Sequence, residues 1–305
     1  MKISKIVISI AGAIAIISAA GYYYVFTLGA PQLDPPKEEI NTGLKFQLET
    51  FNSQAMGTVR NYGVILPPDY NKNPQKRYPV IFILHGGHDD ARAYAEKYAV
   101  MNLLEELYKS GKLPPSIIIT PDGNDKRGSS PLYDPDYYDG PNGKVGTLIG
   151  SELVEVIKSR YRTLQKPEYW ALGGLSSGGW GAFNIGLRYL NNFSILFSHS
   201  GYFTDDSGPE NSPQQIVQKL PVEKRQRLRV YLDAGQNDSD LLASTKTFHE
   251  TLNKLGIKNV FYQFPGGHGL SGPDIGWNYF HKHLKDSLSY VGEEFKKVRR
   301  RPVKS

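Results

Sequence analysis

The sequence contains no cysteine, and this absence excludes several kinds of chemistry. Disulfide bonds, cysteine-ligated zinc, iron–sulfur clusters and thiol nucleophiles all require cysteine, so none of them is available to these 305 residues. A lipid-modified N-terminal cysteine is excluded for the same reason. The composition, with 39% hydrophobic and 22% charged residues, is typical of neither a disordered tail nor a coiled coil. It predicts a globular protein whose chemistry depends on oxygen and nitrogen side chains.

Acidic residues are missing from both ends of the chain, and this explains the overall charge. The formal net charge is +6; residues 1–30 contribute two positive charges and residues 296–305 contribute six, so the remainder carries −2. A nucleic-acid-binding domain would place its basic residues along one folded face, so we do not expect a nucleic-acid partner. We interpret residues 296–305 as a solvated basic C-terminal tail, with contact to anionic lipid or a cell-wall polymer as the alternative.

The N-terminal segment has the features of an export signal. Lys2 and Lys5 precede an uncharged stretch whose most apolar part runs from residue 6 to residue 20. Small residues at 18–20 would suit a signal peptidase, which favours a cleaved signal peptide. The segment from Ile6 to Phe26 would equally suit a retained membrane anchor, because about 20 residues span a bilayer. Both interpretations of residues 1–30 predict an extracytoplasmic protein, secreted or anchored to the membrane.

From residue 44 to residue 295 the pattern predicts one catalytic domain, joined to the N-terminal segment by a proline-containing linker at 31–43. Short apolar strands alternate with amphipathic helices, as in an α/β fold with a mostly parallel sheet. Eight strands are predicted, near 44–51, 57–66, 78–84, 116–121, 168–173, 194–199, 228–234 and 258–264, the first two forming an antiparallel edge. Helices are predicted at 91–110, 151–161, 179–190, 241–255 and 277–295, with a helix N-terminus at 151.

The strongest motif is G-x-S-x-G, formed by Gly174, Ser176 and Gly178 between a predicted strand and a predicted helix. A serine on a sharp strand-to-helix turn has strained backbone angles, and side chains two residues away on either side would collide with the turn. Glycine at both positions meets this requirement. Ser176 is therefore predicted to be a nucleophile, in preference to Ser177, which has Leu175 two residues before it.

A serine nucleophile requires a base that an acid orients, and in this architecture they follow in the order serine, acid, histidine. Asp238, just beyond the strand predicted at 228–234, is the preferred acid, and Asp233 and Asp240 are the alternatives. His268, among glycines after the last predicted strand, is the predicted general base. A packing or surface role, rather than that of the base, is the interpretation for three other histidines: His249, His281 and His283.

The tetrahedral intermediate of ester cleavage needs two hydrogen-bond donors at its oxyanion. The sequence His85-Gly86-Gly87 follows a buried strand and lacks bulky side chains, so its backbone is suited to presenting an N–H group. Gly87 is the first choice and Gly86 the second. The other predicted donor is the backbone N–H of Ser177, at the start of a helix. His85 is predicted to brace this loop.

These motifs together resemble the esterase D and feruloyl esterase family of α/β-hydrolases, a superfamily that also includes antigen 85-type mycolyltransferases. The resemblance rests on five stretches: Leu84-His85-Gly86-Gly87, residues 152–163, residues 174–179, residues 233–238 and Gly266-Gly267-His268. It implies an α/β-hydrolase fold, a triad of Ser176, Asp238 and His268, and oxyanion donors from Gly87 and Ser177. One departure concerns the substrate pocket, because residues 269–274 separate the histidine from Trp277, whereas relatives often place a tryptophan closer to it.

The substrate is predicted to be a small-molecule, carbohydrate or lipid ester, contacted by aromatic side chains of loops at the strand ends. Tyr133 and Tyr202 are the chosen candidates, with ordinary rim positions as the simpler interpretation. Asp134, Asp136 and Asp139 share the loop of Tyr133, but their spacing does not match a calcium-binding loop. We therefore predict no metal and no other cofactor.

The sequence thus predicts an exported serine esterase that hydrolyses a carboxylic ester through an acyl-enzyme. An acyltransferase of the mycolyltransferase kind, passing the acyl group to a carbohydrate or lipid hydroxyl, is the alternative. A non-catalytic binding module is disfavoured by the intact serine, acid and histidine. Peptidase activity is disfavoured by the lack of an additional domain to select peptides. S-formylglutathione hydrolysis is disfavoured by the export segment.

Overall fold

The catalytic domain is built on one eight-stranded sheet. The computed structural model describes residues 2–23, 32–40, 42–129 and 133–300. Seven strand boundaries lie within two residues of those predicted, and the eighth coincides with its prediction: β1 (Phe46–Ser53), β2 (Thr58–Ile65), β3 (Val80–Leu84), β4 (Ile117–Pro121), β5 (Trp170–Leu175), β6 (Ile195–His199), β7 (Arg229–Gly235) and β8 (Lys258–Phe264). A separate two-residue ladder joins Asp139–Gly140 to Gly143–Lys144.

The strand order in the sheet is β1-β2-β4-β3-β5-β6-β7-β8. β1 and β2 pair antiparallel, β2 pairs antiparallel with β4, and all pairs from β4 to β8 are parallel. The prediction of a mostly parallel α/β sheet with an antiparallel edge is therefore confirmed. Because parallel strands end at the same edge of a sheet, the loops after β3, β5, β7 and β8 meet there.

Within the described ranges, six helices have eight or more residues: α1 (Lys2–Tyr22), α2 (Val100–Lys109), α3 (Leu153–Arg160), α4 (Ser177–Gly186), α5 (Ser239–Lys254) and α6 (Trp277–Arg300). Short helical segments lie at Ala93–Glu96, Val145–Thr147, Leu148–Glu152, Pro167–Tyr169, Pro209–Asn211, Pro213–Ile216, Val217–Lys219 and Val222–Arg227. The single helix predicted at 91–110 is two helices, because Ala99 adopts a left-handed conformation with φ of 44°.

The predicted helix N-terminus at residue 151 is also wrong. The chain is already helical from Val145, and a π-helical turn at Leu148–Glu152 leads directly into α3. Glu152 does not serve the first turn of a helix. Its carboxylate accepts hydrogen bonds from the Ser53 hydroxyl at 2.5 Å and the Ala55 backbone N–H at 2.8 Å, and so joins α3 to the β1–β2 hairpin.

The core lies on both faces of the sheet, as the continuous apolar strands require. Successive residues of β3 illustrate this division. Phe82 packs in the cluster on one face with α3 and α4, and Ile81 and Ile83 pack in the cluster on the other face with α2 and α6. Every residue of β5 is buried. The strand that precedes the predicted nucleophile is therefore held from both sides.

The two ends of the chain differ from the catalytic domain. In α1, the side chains of Ile14, Ile16 and Ile17 are exposed; within the described ranges, no helix is both long and apolar enough to cross a membrane. The predicted signal peptide or anchor stays a prediction, and residues 24–31 lie outside the described residues. At the other end, α6 continues to Arg300, so the first half of the predicted basic tail is helical. Residues 301–305 lie outside the described part.

Candidate active site

Ser176 occupies the turn between β5 and α4 with φ of 53° and ψ of −125°. The glycines of the motif are required by close approach of backbone atoms. A Cβ atom at Gly174 would lie 2.6 Å from the carbonyl oxygen of Leu84, and one at Gly178 would collide with the carbonyl oxygens of Leu84 and His85. The turn therefore packs directly against the end of β3, and it presents the Ser176 side chain at the edge where the parallel strands end.

The backbone around Ser176 is fixed from both neighbouring strands. The Ser176 N–H donates to the His199 carbonyl at the end of β6, at 2.9 Å. Ser177 is the first residue of α4, where backbone N–H groups have no partner within the helix. The Ser177 N–H is therefore suited to donate a hydrogen bond to an anion. The partial positive charge of the helix N-terminus would strengthen such a bond.

His85 braces the glycine loop after β3 rather than facing a substrate. The Gly123 N–H donates to His85 Nε2 at 3.0 Å, so the ring proton is on Nδ1, which donates to the Gly86 carbonyl at 2.8 Å. The Tyr137 hydroxyl donates to the His85 carbonyl at 2.7 Å. These bonds hold the backbone that carries Gly87.

His268 and Asp238 form a doubly hydrogen-bonded pair. His268 Nδ1 lies 2.9 Å from one carboxylate oxygen of Asp238, and the His268 backbone N–H donates to the other at 2.8 Å. Gly267, with φ of 135°, allows this approach, because a Cβ atom there would lie 2.6 Å from the same carboxylate. The pair fixes the ring and leaves Nε2 for proton transfer.

Asp238 is held in its ionised form. Burial raises the pKa of its carboxyl, but the hydrogen bonds and charge of His268, together with a hydrogen bond from the Ser200 hydroxyl, outweigh burial and place the pKa below its ordinary value. The Ser200 hydroxyl also accepts a hydrogen bond from the Gly235 N–H at 3.0 Å. Ser200 was not identified from the sequence, because no motif marks it. In the structure it follows β6 directly and has a left-handed φ of 43°.

A cavity of about 420 Å³ brings these groups together. Ser176, His268 and Gly87 all line it, whereas Tyr98, Trp277 and Phe280 form aromatic walls. The His268 ring packs edge-on against Phe280, with ring centroids 5.2 Å apart. Trp277 thus reaches the cavity although residues 269–276 lie between it and His268. Gln32, His88, Asp89, Lys97 and Asp134 add polar groups to the lining.

The two tyrosines predicted to bind substrate have other partners. The Tyr133 ring packs beneath the Arg127 guanidinium, at 4.0 Å, and the Tyr202 ring stacks on Trp180 with centroids 5.4 Å apart. The lining of the catalytic cavity includes neither of them. The aromatic side chains that line the cavity are Tyr98, Trp277 and Phe280, and the roles of Tyr133 and Tyr202 stay predictions.

The alternative acids lie elsewhere. Asp240 is exposed on α5. Asp233 is fully buried and belongs to a second histidine–aspartate pair, in which His199 Nδ1 lies 2.6 Å from its carboxylate and the Tyr279 hydroxyl donates to it at 2.9 Å. His199 Nε2 contacts the Ser287 hydroxyl at 2.9 Å. This buried network joins β6 and β7 to α6 away from the cavity, and sequence reasoning missed it.

The three histidines predicted to have a packing or surface role make hydrogen bonds within the protein. His281 Nδ1 contacts the Tyr98 carbonyl at 2.7 Å, His283 pairs with Asp286, and His249 contacts Asn259. In the part of the chain that the structure describes, no group of three or more histidine or acidic side chains could hold a metal ion.

The sheet order, the strained serine turn and the histidine–aspartate pair at the carboxyl edge are those of an α/β-hydrolase. A family model described as "Putative esterase" matches residues 53–289. The match covers more than half of the chain, which therefore belongs to this esterase family.

Individual proteins similar to this chain also carry names of esterases. "Esterase MT1326" of Mycobacterium tuberculosis is 25% identical over 72% of this chain and 54% of its own length. An "Acetyl esterase" of Caldicellulosiruptor saccharolyticus is 25% identical over 48% of this chain and 64% of its own length. The chain thus spans between half and two thirds of these curated relatives. A solved "ferulic acid esterase" superimposes with a TM-score of 0.72 and 27% identity, covering 83% of this chain and 98% of that one.

Proposed function

We propose that this protein is a serine esterase that cleaves a carboxylic ester through an acyl-enzyme, with Ser176 as nucleophile, His268 as base and Asp238 as the acid that orients it. The observation that carries the proposal is the cavity in which Ser176 and the Asp238-bound His268 meet. The two-sided hydrogen bonding of His268 by one ionised carboxylate serves a proton-transfer role and is more than packing requires.

The reaction follows from these positions. Ser176 Oγ attacks the ester carbonyl carbon while its proton passes to Nε2 of His268, and the carbonyl oxygen becomes an oxyanion. The backbone N–H groups of Gly87 and Ser177 are the proposed donors to this oxyanion. The imidazolium, stabilised by Asp238, then protonates the departing alcohol oxygen as its bond to carbon breaks. Water repeats the sequence on the acyl-enzyme and releases the carboxylic acid.

Hydrolysis is favoured over transfer to an acceptor because water can reach the site. The His268 side chain is 37% exposed, so solvent has access to the proposed base. An acyltransferase would have to exclude water or hold an acceptor hydroxyl in its place. Product analysis with and without added sugar acceptors would distinguish the two, since transfer yields a new ester instead of free acid.

The acyl group that fits best is an aromatic acid. The aromatic walls formed by Tyr98, Trp277 and Phe280 offer edges and faces for stacking on a planar ring. The similarity to a ferulic acid esterase supports this choice, whereas the acetyl esterase among the relatives favours a smaller acyl group. We propose hydroxycinnamoyl-type esters of a carbohydrate as the substrate class.

The predicted extracytoplasmic location is consistent with such a substrate. Residues 6–20 keep the composition of an export signal, and the described isoleucines of α1 from Ile10 onward expose their side chains instead of packing into the catalytic domain. We propose that the protein is exported. Expression as a fusion to a reporter that is active only outside the cytoplasm tests this, and an inactive reporter on a stable fusion would contradict it.

The decisive test compares the full chain with Ser176→Ala on methyl ferulate and a p-nitrophenyl ester series, together with fluorophosphonate labelling and mass spectrometry of the labelled peptide. We expect turnover and a label on Ser176 in the wild type, and neither in the variant. Ser159→Ala removes an exposed hydroxyl on α3 and is the matched control. A label on another residue, or full turnover by Ser176→Ala, would overturn the mechanism.

A further inference from the structure

Residues 32–40, predicted to be part of a linker, make hydrogen bonds to both sides of the catalytic cavity. We call this segment the N-terminal strap, and we call residues 265–276 the histidine loop. Near the start of the strap, the Leu33 N–H donates to the Leu270 carbonyl of the histidine loop at 2.6 Å. Further along the strap, the Lys37 N–H donates to the carbonyl of Lys97, a residue that lines the cavity, at 3.1 Å. Residues from both walls line the cavity, so the strap connects its two sides.

Gln32 holds the end of the histidine loop with both ends of its amide. Its Nε2 donates to the Ile275 carbonyl at 2.9 Å, and its Oε1 accepts from the Trp277 backbone N–H. The Gln32 side chain packs directly on Gly276, where a Cβ atom would collide with it. It also lines the cavity itself. One side chain thus fixes the position at which the histidine loop becomes α6.

Asp34 holds the middle of the histidine loop. Its carboxylate accepts hydrogen bonds from the Gly272 N–H at 2.8 Å, the Ser271 hydroxyl at 3.0 Å and the Asn278 side chain at 2.9 Å. The Gly272 hydrogen bond is the largest cause of a lowered pKa for the Asp34 carboxyl. The carboxylate is therefore ionised, and an ionised acceptor makes stronger hydrogen bonds than a neutral one.

The other end of the strap is anchored to α2. The Glu39 carboxylate accepts from the N–H groups of Met101 and Asn102 at 3.0 and 3.2 Å. The Asn102 side chain in turn bonds the backbone of Glu38 and Ile40 at 2.8 Å each. The strap is thereby fixed to a rigid element, against which Gln32 and Asp34 can hold the loop.

The histidine loop needs such support because of its composition. Five of its glycines have positive φ: Gly266, Gly267, Gly269, Gly272 and Gly276. Glycine loses more conformational entropy on ordering than any other residue, so contacts from outside the loop add to its internal backbone hydrogen bonds, such as that from the Gly267 N–H to the Asp274 carbonyl, in holding one conformation. His268 lies in this loop, and Asp238 holds it through its ring Nδ1 and its backbone N–H. A displacement of about 1 Å at a reacting group can lower a rate by roughly 100-fold.

We propose that Gln32 and Asp34 are positioning residues that hold the histidine loop, and with it His268, in the geometry that proton transfer from Ser176 requires. This inference rests on the proposed function. Because Gln32 also lines the cavity beside Trp277, it contributes to the surface that the ester contacts.

The test uses the full chain with Gln32→Ala and Asp34→Ala, and with Glu38→Gln as the control, because the Glu38 side chain is exposed on the same strap. Turnover of p-nitrophenyl acetate and methyl ferulate, the rate of fluorophosphonate labelling, and hydrogen exchange of the peptide covering the histidine loop are measured. We expect kcat and the labelling rate to fall together by about 10- to 100-fold in the first two variants. Exchange in the loop should rise, and Glu38→Gln should match the wild type.

A purely structural strap would lower the melting temperature and leave kcat per folded molecule unchanged, and this result would overturn the inference. So would unchanged hydrogen exchange of the histidine loop in Gln32→Ala, a measurement that does not depend on turnover. If the wild type hydrolyses no ester while the exchange differs as expected, the proposed function fails but the strap still holds the loop. If the wild type is active and the strap variants equal it, the inference alone fails.

Discussion

Replacing Asp238 with asparagine should nearly abolish turnover while keeping the shape of the site. Asp238 accepts two hydrogen bonds from His268, one from the ring and one from the backbone N–H. Asparagine has only one acceptor oxygen. If that oxygen keeps the bond to the backbone N–H, the amide NH2 group faces Nδ1, and the ring must then carry its proton on Nε2. That nitrogen can no longer accept the proton of Ser176.

The expected magnitude follows from losing the correct tautomer. A change of this kind in a serine–histidine–aspartate site lowers kcat by roughly 10⁴-fold, which corresponds to about 5.5 kcal/mol of lost transition-state stabilisation. The opposite orientation of the amide places two N–H donors against each other and costs about 1–3 kcal/mol, so it does not restore activity.

The assay is steady-state hydrolysis of a p-nitrophenyl ester, with the folded fraction checked by circular dichroism. Asp240→Asn is the matched control, because Asp240 is exposed two residues further along the chain, and it should retain wild-type kcat. If Asp238→Asn keeps kcat within tenfold of the wild type, then Asp238 does not orient His268 and the reasoning fails.

Three further outcomes are expected. Gly178→Ala places a Cβ atom against two backbone carbonyls at the end of β3, so it should cost about 1–3 kcal/mol in urea unfolding and abolish fluorophosphonate labelling; normal labelling would contradict the tight turn. His199→Ala leaves the fully buried Asp233 without its ring partner and should cost about 3–5 kcal/mol, measured by the same unfolding; a change under 1 kcal/mol would argue against the pair. Because the folded-state pKa of Asp238 is lowered, its stabilisation is present above the ordinary aspartate pKa and is lost as the pH falls through the folded value. The stability difference between wild type and Asp238→Asn should therefore shrink on acidification, and a constant difference would refute the shift.

Local sequence patterns were sufficient for the strands and the serine turn. The central strands β3 to β7 are short apolar runs buried on both faces, and burial of this kind is visible in the sequence itself. The turn at Ser176 could be predicted because the steric demand falls on positions 174 and 178, within the same stretch of chain. The helix at 91–110 could not be predicted correctly, because the left-handed residue that divides it is Ala99, a residue with no local preference for that conformation.

The sequence by itself determined the α/β architecture and the order of serine, acid and histidine along the chain, because backbone sterics and strand burial act within a few residues. The tertiary structure decided which acid meets His268. Asp233 lies within β7 and Asp238 three residues after its end, and packing directs Asp233 to His199 and Asp238 to His268. The tertiary structure also placed Trp277, rather than Tyr133 or Tyr202, at the cavity. Only the folded chain brings Gln32 and Asp34 to a loop more than 230 residues away, because such contacts depend on the relative placement of elements that no local pattern records.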